Sequence, residues 1–204
     1  LYKFSIQAKG GDVAMAKFNF RIGSSTLANS TATTSAYALY AFTDSLYANA
    51  DTNFVASGLI NAANCFNGIT STAAGPMNVS IFPDKTSCNS SATTTYIVPK
   101  DTTRYFALRA TLANLSSVTT SKDTITAFLS GDAAYPVNSG TLMSKAGSST
   151  AATSAVNADA NNNFIWSPIS TTTQNTVQDI DFTNGYQVLG LPSIGTTQET
   201  LQSQ

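Results

Sequence analysis

Histidine is absent from this chain, and Glu199 is its only glutamate. Without imidazole there is no Ser/His/Asp or Cys/His nucleophile relay. A pair of carboxylates could still cleave glycosides, but the aspartates are scattered over Asp12, Asp44, Asp51, Asp84, Asp101, Asp123, Asp132, Asp159, Asp179 and Asp181. Most stand beside Gly, Pro, Lys, Asn or Thr at the ends of apolar runs, where an Asp side chain caps a turn. An enzyme is therefore not expected. Charge is scarce as well: 10% of residues are charged and the net charge is −1, against roughly 25% charged in ordinary soluble domains. No basic run exists to neutralise phosphates, which excludes nucleic acid as a partner and disfavours an anionic membrane surface.

Long apolar runs are missing too. Nothing approaches the roughly 20 residues of a membrane-spanning helix, and no signal peptide is visible. Residue 1 already reads as strand, so the segment reads as mature, trimmed or excised from something larger. Cysteine is limited to Cys65 and Cys88, both in turn-like sequence. With no histidine to complete a ligand set, zinc is not expected. Two unrelated thiols are one reading. One disulfide between Cys65 and Cys88, formed in an oxidising compartment, is preferred, and closing that loop would stabilise by roughly 3 kcal/mol. Helical periodicity is also lacking, since the Ala-rich stretch over 151–160 carries too much Ser, Thr and Asn for a stable helix.

What the chain does have is period-2 alternation. Tyr2, Phe4, Ile6 and Ala8 share one face, with Lys3, Ser5 and Gln7 on the other. Gly10-Gly11-Asp12 follows as a turn. The next run puts Ala14, Ala16, Phe18, Phe20 and Ile22 together, with Lys17, Asn19 and Arg21 facing away. Residues 1–22 are thus expected to form a hairpin. Further strands are expected over 36–43, 54–60, 77–82, 93–98, 104–112, 123–130 and 164–168, the run from 93 to 130 as a meander. Residues 144–162 are low-complexity and read as a long exposed loop or linker, and 198–204 as a tail or the start of a connection. The expected fold is an all-β, antiparallel β-sandwich, Ig-like or jelly-roll-like, with long Ser/Thr/Asn-rich loops, in a single domain over 1–204.

Candidate sites are few. Asn29, Asn78, Asn89 and Asn114 open Asn-x-Ser/Thr sequons, acceptors for N-linked glycan where the source organism uses that chemistry. No cofactor is expected. The oxygens of Asp51-Thr52-Asn53, Asp159-Ala160-Asn161 and Asp179-Ile180-Asp181 are of the kind calcium takes, but none has EF-hand spacing, and solvated loop acids are the plainer account, with a structural calcium ion as the alternative. Tyr40, Tyr47, Tyr135, Trp166 and Tyr186 could stack on sugar rings, with Trp166 the best candidate for a buried anchor.

Ile97-Val98-Pro99-Lys100-Asp101-Thr102-Thr103-Arg104-Tyr105-Phe106-Ala107-Leu108-Arg109-Ala110, Leu129-Ser130-Gly131-Asp132-Ala133-Ala134-Tyr135, Asn163-Phe164-Ile165-Trp166-Ser167-Pro168 and Asn184-Gly185-Tyr186-Gln187-Val188-Leu189-Gly190-Leu191-Pro192 together resemble secreted β-sandwich surface proteins of candidate-phylum (Patescibacteria-like) bacteria. The resemblance covers roughly the C-terminal half. It implies export and a place in the cell envelope or on filaments, and brings no catalytic residues.

The expectation is therefore a structural subunit of an extracellular assembly, a filament, pilus-like fibre or S-layer, whose partners are copies of itself. Leu1, Tyr2, Phe4 and Ile6 are the first candidates for a strand shared between subunits, and pairing within their own domain is the alternative. An adhesin or carbohydrate-binding module, with surface glycans as partners, is the second functional reading.

Overall fold

The computed structural model describes residues 1–25, 32–63, 65, 76–86, 94–115, 122–134, 152–153, 161–169 and 182–202. Among them the strands are β1 (Tyr2–Gln7), β2 (Asp12–Ser25), β3 (Thr33–Phe42), β4 (Met77–Ile81), β5 (Tyr96–Val98), β6 (Thr103–Ala113), β7 (Thr124–Leu129), β8 (Ala152–Thr153), β9 (Phe164–Ile169) and β10 (Glu199–Gln202), with no helix. Every strand pairing is antiparallel. The small sheet has the order β1-β6-β3. The large sheet runs β10-β7-β2-β4-β8, with β5 and β9 also on β2. The chain is an all-β, antiparallel sandwich.

The long strand β2 organises the large sheet. Its first half pairs with β5 on one side and β9 on the other, and its second half with β4 and β7. Between the sheets lies an aromatic core. Phe4 stacks on Phe106 at 5.0 Å between centroids, and Phe18 meets Phe164 edge-on at 5.7 Å. Phe18 also lies 5.9 Å from Phe4 and 5.6 Å from Phe106. Offset and edge-to-face pairs of this kind add about 0.5–1.5 kcal/mol each beyond the area they bury.

Three expectations about strand partners are corrected. Residues 1–22 are not a hairpin: β1 pairs with β6, and β2 lies in the other sheet. Residues 93–130 are not a meander, because β5 and β7 belong to the large sheet and β6 to the small one. Both errors have one cause. The turns at Gly10 and Asp101, each with positive φ, carry the chain across the sandwich instead of folding it back. The two crossings are tied together: Gly10 N–H donates to Asp101 Oδ1 (3.1 Å) and Lys100 N–H to Asp12 Oδ1 (2.7 Å). Finally, residues 198–204 are not merely a tail, since Glu199–Gln202 pair with β7.

The faces of β2 also differ from simple alternation. A register shift opposite β9 between Met15 and Lys17 inserts an extra residue, and one extra residue moves all later side chains to the opposite face. Met15 therefore joins Phe18, Phe20 and Ile22 in the main core. Ala14 and Ala16 back onto Ile165 and Phe182 on the far side. That far side is covered, so Lys17 and Asn19, expected in solvent, are buried.

Candidate functional site

The two edges of the small sheet are built from different sequence and end differently. Along β3 a register shift between Ser35 and Ala38, with Ala36 at φ 52°, interrupts the ladder. The outer side of β3 is then covered by residues 49–61. Ala41 N–H donates to Gly58 O, Asp51 N–H to Ala41 O, and Ile60 N–H to Leu39 O, all at 2.8–2.9 Å. The buried Asn61 amide acts as a further piece of backbone. Its Oδ1 accepts from Leu39 N–H (2.8 Å) and its Nδ2 donates to Tyr37 O (3.4 Å). The expected strand over 54–60 contributes only an isolated bridge at Leu59.

The covering segment is locked at Asp51. Its carboxylate is 2% exposed and its Oδ2 accepts from Arg104 Nε and from the Tyr96 hydroxyl, both at 2.6 Å. Its Oδ1 accepts from Asn53 N–H at 3.0 Å. Burial alone would raise the Asp51 pKa, but these bonds from Tyr96, Asn53 and Arg104 outweigh it and hold the pKa below the ordinary carboxylate value. Burial and the neighbouring carboxylate push the Tyr96 phenol well up.

Opposite, β1 is open. The Ala8 N–H to Thr102 O bond (3.1 Å) belongs to the same register as Tyr2↔Leu108. By the alternation of an antiparallel ladder, Tyr2, Phe4 and Ile6 therefore turn their backbone groups to β6, and Lys3, Ser5 and Gln7 turn theirs outward. Among the described residues, no backbone bond reaches that outer side. In the large sheet β10 is likewise an edge, paired only with β7, and its Leu201 is exposed.

The solvent face of the small sheet carries an aromatic and cationic cluster. Arg109 stacks over Tyr40 at 4.6 Å and Phe42 at 5.6 Å, and Lys3 lies 4.2 Å over Tyr47. Tyr47, itself at φ 59°, meets Phe42 and Tyr105 edge-on. Burial, and then the nearby Tyr105, raise its pKa. A second feature lies where β1, β2 and β9 meet. An apolar groove of about 250 Å³ there is lined by Ile6, Val13, Met15, Trp166, Val188 and Leu189, among others. Trp166 is half-buried there, its Nε1 donating to Asn184 O at 2.9 Å, while Leu189 is 98% exposed.

Several aspartates prove to be turn organisers. Asp132 is buried and binds three backbone N–H groups, those of Asn163 (2.8 Å), Phe164 (3.1 Å) and Gly185 (2.8 Å). It thereby ties the end of β7 to the start of β9 and to the segment at Asn184-Gly185. Asp84 accepts from the N–H and hydroxyl of both Thr86 and Thr94. Asp44 accepts from the N–H groups of Leu46, Ala48 and Asn49, and the bond from Asn49 is the largest cause of its lowered pKa. Asp51, weighed for calcium, spends its carboxylate on Arg104 and Tyr96, and Asp159, Asp179 and Asp181 lie outside the described residues. Among the described residues no group of three or more His, Cys, Asp or Glu side chains is placed to hold a metal.

The remaining expected residues fall as follows. Leu1, Tyr2, Phe4 and Ile6 sit on or beside β1, with Tyr2 in the core and the other three packed against it. Cys65 is partly buried against that core and is not a free thiol, and Cys88 lies outside the described residues. Asn29, Asn89 and Tyr135 also lie outside them. Asn78 is in the interior of β4 with Ser80 of its sequon buried, so a glycan there would have to be added before folding. Asn114 is exposed at the end of β6, at φ 55°. Lys3 and Arg109 were missed by sequence reasoning. Alternation puts each on an outer face, but nothing along the chain brings them beside Tyr47 and Tyr40. No family model, no curated protein and no solved structure matches the chain.

Proposed function

We propose that this chain is a non-catalytic structural subunit of an extracellular surface assembly, a fibre or surface layer, in which copies join edge to edge. The observation that carries the reading is the outer side of β1, where Lys3, Ser5 and Gln7 offer backbone donors and acceptors while the other edge of the same sheet is covered. Such an edge is a template for an added strand. Joining β1 to β1 would close a two-fold dimer. An open fibre needs two different surfaces, and β1 of the small sheet with β10 of the large sheet meets that need. Donation of β1 itself would draw Tyr2 and Phe4 out of the core, whereas edge addition leaves them in place. The absence of histidine, the low charge and the resemblance to exported surface proteins support the same reading. In it, Cys65 and Cys88 form one bridge in an oxidising compartment, and Asn114 is the exposed glycan acceptor.

The test is Ser5→Pro. The Ser5 N–H points away from β6, so proline removes an outward donor and leaves the intrachain ladder intact, a position edge strands tolerate. Electron microscopy and sedimentation velocity should find fibres or sheets for the wild type and folded monomer for the variant. Assemblies of unchanged geometry from Ser5→Pro, or a wild type monomeric at every concentration, would sink the reading.

A further inference from the structure

We propose that the solvent face of the small sheet is a receptor for a carboxylate-bearing polysaccharide, with Arg109 and Lys3 as its anion-binding groups. This is independent of edge-to-edge assembly, which uses backbone groups in the plane of the sheet. Arg109 is exposed, yet its guanidinium is held over Tyr40 and Phe42. Lys3 is exposed and held over Tyr47. Among the described residues neither Arg109 nor the Lys3 ammonium has a hydrogen-bonded or ion-paired side-chain partner, in contrast to Arg104, which is held by Asp51. The loop carboxylate of Asp44, next to this face in the chain, is occupied by its own turn. Two cations are thus positioned by aromatic rings and, among the described residues, left without an anion.

Their spacing follows from the register. Lys3 is opposite Ala107, and Arg109 is the next residue on that face of β6, so the two are diagonal neighbours about 7–8 Å apart at the backbone. Like charges this close repel, and an anion reaching both relieves the repulsion. A guanidinium fixed on a ring presents its planar fork of donors to a carboxylate with little further ordering.

The same geometry selects the polymer. Arg109 and Lys3 each cover a ring face, those of Tyr40 and Tyr47, which neutral sugars or unpaired bases would need for stacking. Two cations are also too few for the multiple phosphate contacts of nucleic-acid binding. Around them the face is neutral and polar, with Gln7 and Thr111 exposed, which suits the hydroxyls of a sugar chain.

Isothermal titration of the full chain with polygalacturonate, with neutral dextran and with single-stranded DNA tests this. Running it in the Ser5→Pro background separates ligand binding from assembly. Polygalacturonate should bind, weakening as salt screens the charges, and dextran and DNA should not. Arg109→Ala should weaken binding roughly tenfold or more, as expected for a lost charged hydrogen bond. Arg109→Lys should restore it only in part. Lys3→Ala is a second variant that alters no buried group, and its thermal midpoint should match the parent's while binding falls. Absence of polygalacturonate binding, equal binding by the Arg109→Ala and Lys3→Ala variants, or a preference for dextran or DNA would overturn the proposal.

Discussion

β1 and β3 flank the same central strand, β6, and face the same problem of unpaired backbone, yet among the described residues only β3 is covered. Its cover is specific. A glycine at Gly58 accepts the positive φ of 77°, Asn61 supplies an amide that imitates a strand, and the Asp51–Arg104 pair fixes the segment to β6. No such device stands beside β1 among the described residues. It carries Lys3, a charge that commonly discourages pairing at edges, but its outward N–H and C=O groups remain available. The difference teaches that this fold can finish an edge, and that among the described residues it does so on the β3 side only.

The comparison breaks most readily at Asp51. Asp51→Ala leaves the part-buried Arg104 guanidinium and the buried Tyr96 hydroxyl without their acceptor, a change that costs about 3 kcal/mol, and chemical denaturation should register a loss of that size. It should also loosen the cover on β3 and create a second open edge, seen as new aggregation even in the Ser5→Pro background. Acid should act on the same lock. A carboxylate whose pKa falls on folding stabilises the fold above its unfolded pKa, about 3.9, and that stability is lost as pH drops through the lower folded value. Melting temperature should therefore decline below about pH 4, and Asp51→Asn should flatten that decline.

Asn61→Ala comes next, at about 1–3 kcal/mol, because it leaves the buried Leu39 N–H without an acceptor. The fitting check is faster exchange of the Leu39 amide relative to its neighbours. Gly58→Ala is smaller, about 1–2 kcal/mol for the left-handed backbone alone, with some addition because the new Cβ would sit 2.8 Å from Ala41 O. An unchanged denaturation midpoint would mean that the 49–61 segment is not held as described. Smallest in stability is Ser5→Pro, within about 1 kcal/mol on the argument that its N–H is unused, despite its large expected effect on assembly.

Alternation in the sequence was enough to identify the fold class and most strands, because a half-buried strand must place apolar residues at every second position. Partners were not legible. The periodicity of residues 1–8 says which side chains share a face, but not that their backbone pairs with β6 and not with β2 across a turn at Gly10. Parity failed at Met15–Lys17, where the bulge leaves no mark in composition. Glu199–Gln202 was passed over because an exposed edge strand has no apolar face to betray it. At the surface, Tyr40 and Tyr47 stood out as aromatics, but the cations on them come from strands distant in sequence. Nothing in the sequence marks Asn61, since the Tyr37 and Leu39 backbone groups that it covers are distant along the chain.

Residue-resolved amide exchange along β1, measured at low and high protein concentration, reads the central claim directly. The account predicts that Lys3, Ser5 and Gln7 exchange quickly in dilute solution and become protected on concentration, while the Leu39 and Ala41 amides of β3 stay protected throughout. Protection of Lys3, Ser5 and Gln7 in dilute monomer, or exchange that ignores concentration, would contradict it.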